Sequence, residues 1–269
     1  MRCDSESVQN EYTLMPSQQD YWNSAATVAS YSRPAFLYAP ELRLLGLLKE
    51  RWGSIEMLDV GIGAGRTTAY FAELVQRYVG IDYAPNMVEQ ARQRFASRWP
   101  HAEFACADAT QMEGYGDASF DLVMFSYNGI DCVDFDARRA VLNEMRRVCR
   151  PEGWVVFSSH NFHSIAKHLR FQFHKHPRAL LEEWQRYRTM CRHNSNLDSI
   201  IELEQVSFVD GTARDSRYSY VKPDAQSEAL LAMGFKEVRL FSCLGGDEIT
   251  GTRAFEDERV SWVYYFCRR

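Results

Sequence analysis

The chain begins with helical patterns and changes period near residue 55. Before that point Pro40 and Glu41 open a helix. Proline suits a first helical turn, and Leu42, Leu45, Leu48 and Trp52 recur at helical spacing. Residues 55–60 form a short apolar run, which predicts a strand. Residues 67–78 return to helical spacing, with Tyr70, Phe71, Leu74 and Val75 as the inward stripe. The alternation continues with a strand at 78–81, ending at Asp82, and a helix at 86–99 that turns Met87, Ala91 and Phe95 to one face. Strands at 103–106 and 120–125 follow, the second patterned for burial on both faces. A helix at 138–149 leads to a turn in which Pro151 stops the helix and Gly153 takes a positive φ, then to a strand at 154–158. Beyond His160 the alternation breaks. Residues 162–217 carry helical patterns and no convincing central strand. A helix at 223–233, closed by Gly234, restores it, and strands at 235–243 and 260–267 are expected to pair antiparallel at a sheet edge.

Strands alternating with helices predict an α/β fold with a doubly wound, mainly parallel sheet. One unit is expected: a helical cover over 1–54, a core over 55–161, a helical insertion or lid over 162–217, and a closing helix and strand pair over 218–269. Such sheets bind ligands at the carboxyl ends of their strands. The residues there are Gly61 to Arg66, Asp82, Asp108, Ser126 to Asp131, and His160 with Asn161.

The first of these segments has the spacing Gly61-x-Gly63-x-Gly65, with Arg66 where a dinucleotide fingerprint needs its last glycine. Glycines let the backbone lie against a ligand, and the helix that follows presents free N–H groups. Asp59 precedes the loop, where it would repel a pyrophosphate and suit an ammonium group. Asp82 can accept from both ribose hydroxyls, and Asp108 can accept from an adenine amino group. The ligand so described has an adenine, a ribose and a cationic amino-acid end, and no phosphates.

Five stretches carry a family resemblance: "EMLDVGIGAGRTT", "YVGIDYAPNMVEQARQRF", "FACADATQM", "FDLVMFSYNGID" and "RVCRPEGWVVFSS". In order and spacing they resemble the motifs of the class I S-adenosylmethionine-dependent methyltransferases of small-molecule type. The likeness covers roughly residues 55–160, and the strand pair at 235–267 is consistent with it. It implies a Rossmann-like seven-stranded sheet with the last strand antiparallel, and S-adenosyl-L-methionine as cofactor. It further implies that Asp59 and the backbone of Gly61, Ile62, Gly63 and Gly65 line the methionine part and that Asp82 holds the ribose. Tyr83 and Met87 would pack near the adenine, Asp108 and Ala109 would contact it, and Phe125, Ser126 and Tyr127 would border the sulfonium. Aromatic faces there would attract the cation by about 0.5–2 kcal/mol. Arg66 could reach the methionine carboxylate or cap the helix region.

The acceptor side is less defined. His160 sits where an acceptor should lie, either as a general base or as a residue that bonds backbone or orients Asn161. Asn128 and Asp131 could bond a substrate or simply form a turn. Gly129 departs from the Asn/Asp-Pro-Pro-Tyr pattern of amino-group methyltransferases, so that chemistry is not carried over. Tyr12, Tyr21, Trp22, Tyr31 and Arg33 lie in the N-terminal cover. Of these, Tyr21, Tyr31 and Arg33 are candidates to touch the methionine carboxylate or the substrate, with aromatic packing as the alternative.

Composition narrows the picture further. The 269 residues are 46% hydrophobic, enough for a sizeable core, and the formal net charge of -5 gives no basic excess for nucleic acid. No apolar run reaches a membrane span, and the acidic start is unlike an export signal. The seven cysteines form no C-x-x-C, which suits reduced thiols in a cytoplasmic protein, and no metal site is expected. The insertion is the basic exception. Lys167, Arg170, Lys175, Arg178, Arg186, Arg188 and Arg192 and five of the seven histidines lie there. They form either a lid for an anionic or sugar-linked acceptor or a solvated helical face. The function expected is methyl transfer to an oxygen or nitrogen of a small-molecule acceptor. The alternatives are a protein or RNA methyltransferase, a non-catalytic cofactor binder, and an NAD dehydrogenase, against which Arg66 counts.

Overall fold

Alternating side chains along each central strand serve two opposite faces, and both faces are covered. In the computed structural model, which describes residues 18–33, 36–194, 197–211, 216–250 and 259–269, β1 (Glu56–Val60) turns Leu58 and Val60 to one side and Met57 to the other. The first side packs against α6 (Phe135–Val148) through Val141, Leu142 and Met145, and against Leu230 of α9 (Pro223–Ala232). The second packs against Leu44 of α3 (Ala39–Leu47) and Val88, Ala91 and Phe95 of α5 (Pro85–Phe95). Cys3 and Tyr12 lie outside the described residues, as do positions 251–258 of the expected loop and 212–215 of the insertion.

The remaining strands of this sheet are β2 (Arg77–Asp82), β3 (Ala102–Cys106), β4 (Phe120–Phe125), β5 (Cys149–His160), β8 (Glu237–Ser242) and β9 (Trp262–Arg268). Their order is β3-β2-β1-β4-β5-β9-β8. Strands β1 to β5 pair in parallel, and β9 runs antiparallel to both β5 and β8. This is the doubly wound seven-stranded sheet expected. The last strand is threaded inside β8 rather than lying at the edge. The winding reverses between β1 and β4, so a crevice opens beyond their carboxyl ends.

Several local expectations are corrected. The helix read over 67–78 shrinks to α4 (Thr68–Phe71) and a run of turns. The Gln76 and Arg77 amides bond to Ile55 O, which draws the chain into β2 early, and Tyr70 and Leu74 stay exposed. On α3 Leu44 is buried together with Pro40 and Glu41, whereas Leu42 is 56% exposed. The turn after α6 is absorbed into β5. There Glu152, not Gly153, takes the positive φ of 61°. Gly153 serves close approach instead, because a Cβ would lie 2.7 Å from Cys149 Sγ and 2.9 Å from Asp121 O.

The insertion is not purely helical. It holds α7 (Ile165–His168) and α8 (Pro177–His193), and then β6 (Gln205–Phe208) pairs antiparallel with β7 (Tyr218–Val221) in a separate two-stranded sheet. Phe162, Ile165, Met190, Phe208 and Tyr220 make a small core of its own. Four-residue strands are too short for their alternation to stand out in the sequence. Ahead of the sheet lie α1 (Gln18–Asn23) and α2 (Ala25–Tyr31), which contact α5. Among the described residues no helix is long and apolar enough to cross a membrane.

Candidate active site

The glycine loop leaves β1 at the crevice, and two carboxylates meet it. Asp82, at the end of β2, accepts from the Gly63 amide at 2.9 Å and from the Ala84 amide at 2.9 Å. Burial raises its pKa, and those backbone bonds only partly offset the effect. Asp59, almost wholly buried within β1, accepts from Thr67 Oγ1 at 2.5 Å and Tyr78 OH at 2.6 Å. Burial pushes it up to about 6 against the pull of those two bonds.

Gly61 has φ +62°, and a Cβ there would overlap the Phe125 ring. A Cβ at Gly129 would overlap the same ring from the following loop. The phenyl group at the end of β4 is thus clasped by two glycines, which explains why Gly129 replaces a bulkier residue. Gly65 faces Phe95 of α5 in the same way and does not line the crevice.

The crevice encloses about 310 Å³. Asp59, Gly61, Ile62, Gly63, Arg66 and Asp82 line it on the loop side, with Tyr83, Met87, Phe125, Ser126 and Tyr127 beyond them. The N-terminal cover contributes Tyr31 and Arg33. Besides Gly65, the expected residues Tyr21, Asp108, Ala109, Asn128, Asp131, His160 and Asn161 lie outside this lining. Tyr21 packs edge-on against Trp22, outside the lining. Asp108 is exposed and accepts from the Thr110 amide and hydroxyl, both at 2.8 Å, and neither it nor Ala109 lines the crevice.

Arg66 takes neither expected role alone. Its guanidinium forms a two-pronged bond to Glu41 of α3, at 2.7 and 2.6 Å, and donates to Ser126 Oγ and Phe36 O. Glu41 also accepts from Ser126 Oγ, Tyr264 OH and the Tyr38 amide. Burial works against the Arg66 charge, but the Glu41 bonds outweigh it and its pKa stands above the usual arginine value. This pair fastens the N-terminal cover to the sheet. Glu41→Ala would leave the guanidinium without its partner, and denaturant unfolding should show a loss of about 3 kcal/mol. A change below about 0.5 kcal/mol would contradict this role.

A second network lies past Tyr127. Asp131, wholly buried, accepts from Arg138 at 2.5 Å, Ser159 Oγ at 2.7 Å, the His160 amide at 2.7 Å and His160 Nδ1 at 2.6 Å. Burial pushes its pKa up, yet the Arg138 charge and the His160 bonds outweigh that and hold it below the usual value. Arg138 is completed by Gln226 and Ser159. Asp131 therefore serves His160 rather than facing a ligand. Asn161 is fully buried and also structural: its amide donates to Val260 O and accepts from the His163 amide. Asn128 differs. It is buried in a left-handed conformation at φ 59°, and neither polar atom of its carboxamide has a partner among the described residues. Leaving such a group unmet costs about 1–3 kcal/mol.

Glu41, Trp262 and Arg138 were not singled out from the sequence. Glu41 read as a helix-opening acid, and only its position opposite Arg66 makes it a site residue. Arg170, Lys175, Arg178, Arg186, Arg188 and Arg192 lie outside the crevice lining. Arg186 pairs with Glu183 and bonds backbone carbonyls, Arg178 pairs with Glu182, and Arg188 lies over the Trp184 ring.

Glycine loop, ribose-height carboxylate and crevice at the winding reversal define a nucleoside-binding α/β domain of methyltransferase type. Residues 57–153 match the family described as the methyltransferase domain. The chain is 33% identical over 153 residues to a malonyl-(acyl-carrier protein) O-methyltransferase of Serratia marcescens, covering 54% of this chain and 56% of that protein. It is 34% identical over 100 residues to a demethylmenaquinone methyltransferase of Clavibacter sepedonicus, covering 37% of this chain and 39% of that one. The matches thus span about half the length of these relatives or less. In fold it is similar to an S-adenosylmethionine-dependent methyltransferase from Mesorhizobium loti, with TM-score 0.58, 19% identity, and coverage of 86% and 98% of the two chains. Residues 57–153 are thus a methyltransferase domain, and the chain has the fold of the S-adenosylmethionine-dependent methyltransferases.

Proposed function

We propose that this protein transfers a methyl group from S-adenosylmethionine to an oxygen or nitrogen of a small-molecule acceptor. The observation that carries the reading is the pair of buried carboxylates, Asp59 and Asp82, on one crevice with the glycine loop. The residues fit that cofactor. Asp82 would accept from the ribose hydroxyls, Asp59 would face the ammonium, and Tyr127 and Phe125 would border the sulfonium. When bound, S-adenosylmethionine supplies an electrophilic methyl carbon, and the carbon–sulfur electron pair leaves with S-adenosylhomocysteine. The protein's part is to align the acceptor, a contribution of about 7–11 kcal/mol at best, and to take its proton. Asp131 at His160 Nδ1 favours the tautomer that leaves a lone pair on Nε2, which supports His160 as the base.

Calorimetry should register S-adenosylhomocysteine binding and no comparable binding of NADH. Tight NADH binding without S-adenosylhomocysteine binding would overturn the proposal.

Binding should also depend on pH. Asp59 holds its proton up to about pH 6 in the free protein. The folded value lies above the unfolded one, so its contribution to stability is full below about pH 4 and lost as pH rises through 6. A cationic ligand end favours the ionised form. S-adenosylhomocysteine affinity should therefore be flat above pH 7 and fall toward tenfold per pH unit below 6. Calorimetry in buffers of different ionisation enthalpy should detect proton release on binding at pH 5.5. Affinity unchanged down to pH 5 would remove Asp59 from contact with the ammonium.

A further inference from the structure

We propose that the acceptor is an aromatic hydroxyl compound, a phenol, held against the rings of Tyr127, Trp262 and Tyr218 with its oxygen at His160 Nε2. This rests on the methyltransferase reading and names the acceptor of that same site.

Rings in mutual contact run from the cofactor crevice to His160, of which Tyr31 and Tyr127 line the crevice itself. Tyr127 lines the crevice, and Tyr31 meets it edge-on at 5.9 Å. Trp262, the first residue of β9, meets Tyr127 edge-on at 5.2 Å and His160 at 6.2 Å. The imidazole then lies 5.5 Å from Tyr218 and 4.9 Å from Tyr220, both on β7 of the insertion. Widely separated parts of the chain supply these rings, the insertion among them through β7. Aromatic faces favour a planar aromatic guest through stacked and edge-on contacts.

The charges buried behind His160 are already paired with one another. Both Asp131 oxygens are engaged by Arg138, Ser159 and His160, and Arg138 is completed by Gln226. An anionic acceptor finds no uncommitted cation in this network, and an ammonium finds no uncommitted carboxylate. The phenolic groups of Tyr31 and Tyr218 stay neutral, because burial raises both. A neutral guest fits.

Proton transfer gives the second discrimination. A phenol, ionising near 10, gives up its proton to a side-chain base far more readily than a water-like hydroxyl near 15.7. The oriented His160 suits the first and is inadequate for the second.

The test uses the protein saturated with S-adenosylhomocysteine and four guests on one ring system: naphthol, naphthalenemethanol, naphthylmethylamine and naphthoate. Tryptophan fluorescence and calorimetry should show naphthol binding at least tenfold tighter than the other three. Trp262→Ala should weaken naphthol at least tenfold, Trp262→Phe less than threefold, and neither should change S-adenosylhomocysteine affinity. With labelled S-adenosylmethionine, naphthol should be methylated at least a hundredfold faster than naphthalenemethanol. If another guest binds or is methylated as well as naphthol, or naphthol does not bind, the acceptor assignment fails while S-adenosylhomocysteine binding preserves the methyltransferase reading. If S-adenosylhomocysteine itself does not bind, that reading fails, and the acceptor assignment with it.

Discussion

Asp82→Ala should lower S-adenosylhomocysteine affinity at least a hundredfold. The carboxylate does two things at once. It holds the glycine loop through the Gly63 amide and the turn after β2 through the Ala84 amide. It also stands at the strand end where ribose hydroxyls need an acceptor. Hydrogen bonds to a charged group are each worth about 1.5–3 kcal/mol, so losing two costs about 3 kcal/mol or more, which is roughly a hundredfold. Asp82→Asn keeps the shape and one acceptor oxygen and should fall between wild type and alanine. Calorimetry measures the affinities, and near-ultraviolet circular dichroism checks that the fold survives. A loss below threefold would remove Asp82 from the cofactor site.

His160→Gln should reduce turnover by about 10²–10⁴-fold while leaving S-adenosylhomocysteine affinity within threefold. Glutamine keeps a polar group near Asp131 but cannot take a proton. The complementary change, Asp131→Asn, is less clean, because it leaves the buried Arg138 without its charge partner. Such a loss typically costs about 3–5 kcal/mol of stability. Rates are read with labelled S-adenosylmethionine and naphthol, or with an acceptor found by labelling metabolite extracts. Unchanged turnover would show that alignment alone drives the reaction and that His160 is no base.

The central sheet was legible because its strands and helices differ in period. The apolar residues of 55–60 and 120–125 suited buried parallel strands, and Asp59 and Asp82 then marked the crevice, whereas Asp108 lies outside it. What the sequence hid were pairings between distant segments. Glu41 and Arg66 are 25 residues apart and unremarkable alone. Trp262 sits in an ordinary strand pattern, and only the β5–β9 register, which sets it opposite His160, gives it a role. Local departures had local causes. The stripe at 67–78 had helical spacing, but β2 recruited its end through the Ile55 carbonyl. Gly153 was expected to absorb the tight turn, yet packing against Cys149 claimed it and left the left-handed conformation to Glu152.

The clasp around Phe125 has a consequence for how this protein can change. Gly61 and Gly129 belong to different loops, one on the cofactor side and one leading to the acceptor side, yet both yield their side-chain space to a single ring. The three positions share one fixed volume. A methyl group added at Gly129 must be matched by a smaller residue at 125, and that in turn removes part of the crevice wall. Variation on the acceptor loop is thereby tied to the donor loop, and a search for altered acceptor range through position 129 has to move position 125 with it.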